Sequence, residues 1–160
     1  MLKVTIIAVG KIKEKFYTSA VEEYAKRLSK YCRFEVVEVK DEKTPDDPTA
    51  IEKQKVLDHE AQRIIDKIPK GAKVVTLCVE GEQMPSEKFA KILSKATVDG
   101  VSSIVFIIGG SMGLSEEVKK LSSLRLSFSE MTFPHMLMRV VLAEQIYRAF
   151  TIIEGKTYHK

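Results

Sequence analysis

The chain has 160 residues, of which 44% are hydrophobic and 30% are charged. This length and composition suit one domain with a sizeable core, so residues 1 to 160 are predicted to form a single domain. No apolar run approaches the roughly eighteen residues of a membrane span, and the first residues lack the features of a signal peptide. We therefore expect a cytoplasmic protein with no membrane partner.

Cysteine, histidine and charge narrow the functional classes further. Cys32 and Cys78 lie far apart, and the three histidines have no metal-ligand spacing, so neither a disulfide nor a metal site is expected. Residues 1 to 118 carry 19 basic and 19 acidic side chains, which leaves 7 basic and 3 acidic ones in residues 119 to 160. A basic C-terminal end favours a polyanionic partner, although an ordinary solvated surface has the same composition.

The first quarter of the chain alternates strand and helix patterns. The run "LKVTIIAV" is continuously apolar and β-branched, so residues 2–9 are predicted to form a strand covered on both faces and ended by Gly10. Apolar residues at helical spacing predict a helix over residues 16–28. Residues 34–39 then have the pattern of a second strand.

The same alternation continues after a polar loop. Thr49 and Glu52 have the spacing of a capping box, which predicts a long polar helix that ends near Ile68. The run "KVVTLCVEG" predicts a third strand over residues 73–81. Another helix is predicted to begin at residues 85 and 86.

The second half completes the pattern and indicates the fold class. Residues 104–108 are predicted to form the fourth strand, residues 124–128 a short strand, and a last helix is expected to begin near Pro134. Strands that read as apolar runs between helices favour an α/β fold with a mostly parallel sheet and helices on both faces.

The fourth strand leads into "FIIGGSMGLSEEV", a glycine turn followed by a helix with an acidic first turn. Gly109, Gly110 and Gly113 are not followed by the lysine and hydroxyl residue of a P-loop, and their spacing and place differ from a dinucleotide fingerprint. Glycines after a strand still allow the backbone to approach a ligand closely. A bare turn with a helix cap is the alternative interpretation.

The last predicted helix is apolar on almost every side. Its polar interior positions are Arg139, Glu144, Gln145 and Arg148. A helix of this kind is normally buried, and in a small α/β domain one face is often covered by another subunit. We therefore predict a homodimer, with complete burial inside one chain as the alternative.

Three stretches together resemble a known family. They are "IIGGSMGL", "LSFSEMTFPHMLMRVVLAEQIYRAF" and the terminal "YHK", and the opening "VTIIAVGKIKEK" extends the similarity over the whole length. The sequence resembles the ribosomal RNA large subunit methyltransferase H family of the SPOUT class. The long C-terminal motif is far more specific than the glycine turn alone.

The resemblance implies a fold and a reaction that residue patterns do not reveal. It implies a C-terminal trefoil knot, which no periodicity predicts because knots are rare. It also implies a homodimer that uses S-adenosyl-L-methionine (AdoMet) to methylate the N3 atom of a pseudouridine in 23S rRNA within the ribosome.

The resemblance also assigns site residues by position. Those implied to contact AdoMet are Leu77, Gly109, Phe128, Ser129, Glu130, Met131, Thr132 and Phe133. The glycine turn is then expected to hold AdoMet through close backbone contact, since AdoMet offers an adenine edge that backbone groups can read.

Catalytic candidates follow from the chemistry of the acceptor. Methyl transfer depends mainly on alignment, but a weakly acidic imide nitrogen benefits from a group that removes its proton or stabilises the developing oxyanion. The candidates are Arg139, Tyr158 and His159, the last two from a tail that the family is thought to use to complete the partner subunit's site. A buried structural network around Arg139 and a frayed terminus are the alternatives.

Basic residues are expected to contact the RNA substrate, and a function without catalysis is the alternative. The basic residues expected to contact phosphates are Lys11, Lys13, Lys15, Arg125, Lys156 and Lys160. The moderate net charge of +4 favours the assembled ribosome over free RNA as substrate. The alternative function is a knotted AdoMet- or RNA-binding assembly factor without transferase activity; the intact "FSEMTF" and "YHK" segments argue against it.

Overall fold

The computed structural model describes residues 1–160, in which strands and helices alternate. The strands are β1 (Lys3–Val9), β2 (Arg33–Val39), β3 (Lys73–Glu82), β4 (Ser103–Ile108) and β5 (Leu124–Leu126). The helices are α1 (Lys15–Leu28), α2 (Ala50–Ile65), α3 (Ser86–Val98), α4 (Glu116–Lys120) and α5 (His135–Ile153). Each predicted element is present. α2 ends earlier than predicted because the amides of Lys67 and Ile68 bond three residues back, as in a turn.

The five strands form one sheet in the order β2–β1–β4–β3–β5, and every neighbouring pair is parallel. The predicted α/β fold with a parallel sheet is therefore confirmed. All strands end at the same edge of the sheet, where loops from different strands meet and ligands bind in folds of this kind. The trefoil knot stays a prediction.

The core has two layers because side chains alternate along each central strand. Ile6 and Phe106 point to the face covered by α1, α3 and α5, whereas Ile7 and Ile107 point to the face covered by α2 and α4. All four of these side chains are fully buried. The continuous apolar pattern of β1 and β4 is explained by this double coverage.

α2 begins with the predicted capping box. The Thr49 hydroxyl accepts a hydrogen bond from the Glu52 amide at 3.1 Å, and the Glu52 carboxylate accepts one from the Thr49 amide at 3.2 Å. Further along, Val56, Glu60 and Ile64 lie one turn apart and are buried against the sheet. The helix is therefore polar on its outer face, but its inner face carries one acidic residue.

α5 is packed against both α1 and α3 and buries one stripe of its surface. Its buried residues are Arg139, Leu142, Ala143, Ile146, Ala149 and Thr151. Most of its other apolar residues are only half-buried, and Ile153 is exposed. Complete burial within one chain does not occur, so the apolar character of α5 exceeds what this chain covers.

Candidate functional site

A cavity of about 380 Å³ opens at the carboxyl edge of the sheet. Its walls come from the end of β3, the glycine turn after β4, and the segment that joins β5 to α5. This volume lies in the range typical of small-molecule sites. Of the residues expected to contact AdoMet, it brings together Leu77, Gly109, Phe128, Ser129, Met131, Thr132 and Phe133. Glu130 is exposed and is not among the lining residues.

The glycine turn, residues 109–113, folds tightly back on itself. The Gly113 amide donates to the Gly110 carbonyl at 3.0 Å, and Gly113 has a φ of +78°, which favours glycine. A Cβ at Gly109 would lie only 2.4 Å from the Gly113 carbonyl oxygen. Gly113 is therefore required by its backbone conformation and Gly109 by the close approach of backbone, and the turn presents backbone with little side-chain cover to the cavity.

The cofactor loop, residues 127–133, is held in place by serine hydrogen bonds. The Ser127 hydroxyl lies 2.9 Å from the Val79 carbonyl and 3.0 Å from the Ser129 carbonyl, and the Ser127 amide donates to the Glu82 carbonyl at 2.9 Å. The Met131 amide donates to the Ser129 hydroxyl at 3.0 Å. These bonds attach the loop to the end of β3, where the strand has an irregularity between Leu77 and Glu82. The cavity walls formed by β3 and by the loop are therefore connected.

The charged groups on the cavity wall largely neutralise one another. Lys119 Nζ lies 2.5 Å from a Glu80 carboxylate oxygen, and this hydrogen bond holds the pKa of Glu80 below its usual value. Burial raises the pKa of the Cys78 thiol, and burial together with nearby Arg139 lowers the pKa of His135. The wall therefore offers a neutral thiol and a neutral imidazole at pH 7, which suits ligand binding better than thiolate chemistry.

Arg139 lies behind the cavity and not on its wall. Only 1% of its surface is exposed. Its guanidinium contacts a Glu38 carboxylate oxygen at 2.5 Å and the carbonyl oxygens of Gly10 at 2.7 Å and Val9 at 3.3 Å. It joins α5 to the ends of β1 and β2. The catalytic role of Arg139 stays a prediction, and its visible contacts are structural.

Tyr158 and His159 are held by the tail's own chain, away from the cavity wall. The Tyr158 hydroxyl donates to Glu144 at 3.1 Å, and burial with the Glu144 charge raises the pKa of Tyr158 to about 12. His159 Nδ1 lies 3.2 Å from an Arg148 guanidinium nitrogen, and His159 Nε2 lies 2.8 Å from a Glu87 carboxylate oxygen. The structure thus brings these two predicted residues together with each other, but neither with Arg139 nor with the cavity.

Sequence reasoning missed several residues at this site. Cys78, Glu80 and Lys119 line the cavity, and Glu60 lies behind the glycine turn. The position of Glu60 one helical turn from both Val56 and Ile64 was a detectable signal, since it puts a carboxylate on the apolar side of α2. Glu80, close to the end of β3, had no sequence pattern that indicated a place on the cavity wall.

The ionisation of Glu60 makes a prediction for stability. Burial raises the pKa of Glu60 above the usual 4.5. The charges of Asp41 and Glu42 raise it further, whereas the hydrogen bond from the Glu42 amide and the charge of Arg63 lower it. The folded protein then holds this proton more tightly than the unfolded chain, so this contribution to the free energy of unfolding falls as pH rises from 4.5 through the raised pKa. Glu60→Gln cannot ionise and is expected to remove the fall.

Urea unfolding of wild type and Glu60→Gln between about pH 4 and pH 8 measures this effect. Their difference in free energy of unfolding isolates Glu60 from the histidines and other carboxylates. A difference that does not change with pH would contradict the prediction.

No group of three histidine, cysteine or acidic side chains is placed to hold a metal ion, and none of the helices is long and apolar enough to cross a bilayer.

Comparisons with known proteins converge on one class. Residues 2–159 match the family model described as "Predicted SPOUT methyltransferase". The chain is 52% identical over 159 residues to ribosomal RNA large subunit methyltransferase H of Streptococcus thermophilus, and 50% identical to that of Clostridium kluyveri. Each alignment covers 99% of this chain and 100% of the relative.

A solved structure supports the fold independently. The "probable methylase family protein" of Haemophilus influenzae superposes with a TM-score of 0.53 at 11% identity, covering 99% of this chain and 70% of the other. At this identity the likeness concerns the fold alone.

Proposed function

The chain belongs to the SPOUT methyltransferases and, within them, to the ribosomal RNA large subunit methyltransferase H family, and from this membership we propose that it methylates the N3 atom of a pseudouridine in 23S rRNA with AdoMet as donor. The observation that carries the proposal is the cavity at the carboxyl edge of the sheet, enclosed by the glycine turn and the cofactor loop. The substrate is the assembled ribosome in the cytoplasm.

The cavity fits AdoMet in volume and in chemistry. Backbone around Leu77, Gly109 and the cofactor loop would read the adenine edge, and the apolar side chains Phe128 and Met138 would exclude water. Bound AdoMet supplies an electrophilic methyl group on a sulfonium. The protein's contribution is then alignment, which accounts for up to about 7–11 kcal/mol in well-oriented reactions.

The acceptor nitrogen must lose its proton, and the tail residues supply different parts of this task. Tyr158 is a phenol that keeps its proton at pH 7, and once its hydroxyl leaves Glu144 it can donate a hydrogen bond to the developing oxyanion. His159 has an imidazole that can orient the acceptor or accept its proton. Arg139 would stabilise the anion, either directly or through the β1 end that it holds.

A homodimer would bring these groups to a cavity. In a single chain Tyr158 and His159 lie against α5 and α3, not at the cavity. α5 also leaves half-buried apolar residues that a second subunit would cover. We include in the proposal that the tail of one subunit completes the site of the other.

The basic segment after β1 provides phosphate contacts. Lys11, Lys13 and Lys15 are exposed and take part in no ion pair, so their charge is available to RNA. Arg125, in contrast, lies 3.5 Å from Glu116 and is partly neutralised. The moderate net charge of +4 favours a substrate whose shape supplies further contacts, which the assembled ribosome does and a free stem-loop does not.

Replacing His159 with alanine is expected to lower the rate of methyl transfer by about 100-fold, within the usual range for a general acid or base. AdoMet affinity is expected to stay unchanged, because the proposed role of His159 is to act on the acceptor nitrogen and not on the methyl donor. The control is Glu87→Gln, which removes the charge facing His159 but keeps a hydrogen-bond acceptor. A His159→Ala protein with wild-type turnover would eliminate the catalytic role.

The proposed function is tested by transfer of labelled methyl from AdoMet to ribosomes purified from a strain that lacks this protein. Isolated rRNA is assayed in parallel and the labelled nucleoside is identified. Label in a methylated pseudouridine of intact ribosomes is the expected result. AdoMet binding without any transfer would favour a non-catalytic assembly factor, and absence of binding would refute the cofactor assignment.

A further inference from the structure

The carboxyl group of Glu60 lies directly behind the glycine turn. Glu60 is the only acidic residue among the buried side chains, with 5% of its surface exposed. Its Oε2 accepts a hydrogen bond from the Glu42 amide at 2.9 Å, whereas its Oε1 has no hydrogen-bond partner. A buried polar atom without a partner destabilises the fold, so this placement calls for an explanation.

Gly110 lets the carboxyl group approach the turn. A Cβ at this position would lie 3.4 Å from Glu60 Oε1, 3.5 Å from Oε2 and 3.0 Å from Val9 Cγ1. Gly110 also accepts the hydrogen bond from Gly113 that closes the turn. The Glu60 carboxyl therefore lies beside the residue on which the shape of the turn depends, in space that a side chain there would crowd.

The Glu60 side chain thus lies between two segments at the carboxyl edge of the sheet. They are the loop after β2, which it joins through the hydrogen bond from the Glu42 amide, and the glycine turn at Gly110. Gly109 and Gly110 have no side chain that could anchor the turn from this side. The support comes instead from α2, which lies on the opposite face of the sheet from α5.

The surroundings of Glu60 favour an uncharged carboxyl. The hydrogen bond from the Glu42 amide favours ionisation, whereas burial, first of all, and the charges of Asp41 and Glu42 disfavour it, and these unfavourable effects prevail. Arg63 opposes them, but its guanidinium is already engaged by Glu42 at 2.6 Å and by the Lys40 carbonyl at 3.0 Å. His59 faces Glu42 at 3.6 Å, and residues 109–114 contain no ionisable side chain. A neutral carboxyl can pack against the glycine backbone without a counterion.

We propose that Glu60 is a positioning residue of the cofactor site, whose carboxyl group holds the glycine turn in the conformation that binds the methyl donor. The identity of the donor as AdoMet rests on the proposed function. The effect of Glu60 on the turn does not, because it is a property of the protein without ligand.

A double-mutant cycle between Glu60 and Gly110 tests the proposal, with AdoMet affinity measured by calorimetry. Glu60→Ala is expected to weaken binding about tenfold, and Gly110→Ala by a similar factor, because its methyl group is crowded by Val9 at 3.0 Å while the Glu60 carboxyl at 3.4 Å leaves it no room to move away. In the double variant the methyl group occupies vacated space, so the loss is expected to be at least about threefold smaller than the product of the single effects. Effects that simply multiply would overturn the proposal.

Matched variants separate positioning from a general loss of stability. Asp58→Ala removes an exposed carboxylate from the same helix and is expected to leave the affinity unchanged, alone or with Gly110→Ala. Glu60→Gln keeps the shape and the acceptor for the Glu42 amide and is expected to bind AdoMet within about twofold of wild type. Equal losses in Glu60→Gln and Glu60→Ala would contradict a role based on shape.

Amide hydrogen exchange in the ligand-free protein supplies a readout that needs no AdoMet. Glu60→Ala is expected to accelerate exchange in residues 109–113, whereas Glu60→Gln is not. Glu60→Asp, which withdraws the carboxyl from Gly110, is expected to give an intermediate rate. Unchanged exchange in the turn would refute the proposal even if AdoMet binds, and accelerated exchange would support it even if the donor proves to be another molecule.

Discussion

Arg139→Ala is expected to lower the free energy of unfolding by about 2–5 kcal/mol, the usual range when a large buried side chain is truncated to alanine. The substitution leaves Glu38 and the carbonyl oxygens of Val9 and Gly10 without their shared donor, and it opens a space at the start of α5. Because α5 follows the cofactor loop directly, AdoMet affinity is expected to fall as well. Urea unfolding and calorimetry measure the two effects.

Two further variants distinguish structural from direct catalytic action of Arg139. Glu38→Gln keeps an acceptor for the guanidinium but removes the charge that balances it; because Arg139 is buried, this variant is expected to destabilise by about 3–5 kcal/mol. Arg139→Lys keeps the charge but not the planar fork that reaches three oxygen atoms, so it is expected to fall between alanine and wild type in stability. An Arg139→Ala protein with normal stability and AdoMet affinity, but no methyl transfer, would show that Arg139 acts on the substrate itself.

Gly109→Ala is expected to weaken AdoMet binding by at least about 100-fold, equivalent to roughly 2.7 kcal/mol or more. The added Cβ would lie 2.4 Å from the oxygen and 2.6 Å from the carbon of the Gly113 carbonyl. Both are backbone atoms that cannot rotate away, so the turn must open to admit the methyl group. Calorimetric titration with AdoMet measures the loss.

Gly100→Ala is the matched control for that substitution. Gly100 has a φ of +83°, and no atom lies within 4 Å of the position that an added Cβ would occupy, so alanine there carries only backbone strain of about 1–2 kcal/mol. It lies between α3 and β4, outside the cavity wall, and AdoMet affinity is expected to be unchanged. Similar affinity losses in both variants would mean that the loss at Gly109 reflects general destabilisation and not the clash within the turn.

The elements were predictable because their signals are local. β1 and β4 are apolar runs with coverage on both faces, and α2 begins at a capping box formed by residues three positions apart. The strand order was not predictable, since it depends on which apolar strands pair across long separations. The short helix α4 was recognisable through Ser115, which caps it by accepting from the Val118 amide at 3.3 Å.

The family motif was specific enough to predict which two loops meet at the cavity. It did not predict contacts between side chains that lie far apart in the sequence. The glycine turn and the cofactor loop meet at one cavity, as parallel strand ends require. The pairing of Arg139 with Glu38 joins residues 101 positions apart and leaves no trace in the sequence. The buried position of Glu60 was overlooked because its neighbours on the outer face of α2 are polar.

The aromatic packing of the tail gives this protein a built-in optical reporter. The chain has no tryptophan and five tyrosines, so its ultraviolet emission comes from tyrosine alone. The Tyr158 ring centroid lies 4.8 Å from that of Tyr147, and the Tyr158 hydroxyl bonds to the Glu144 carboxylate, a contact that quenches tyrosine fluorescence. Movement of the tail away from its own chain would therefore increase the tyrosine fluorescence of the protein without any attached dye.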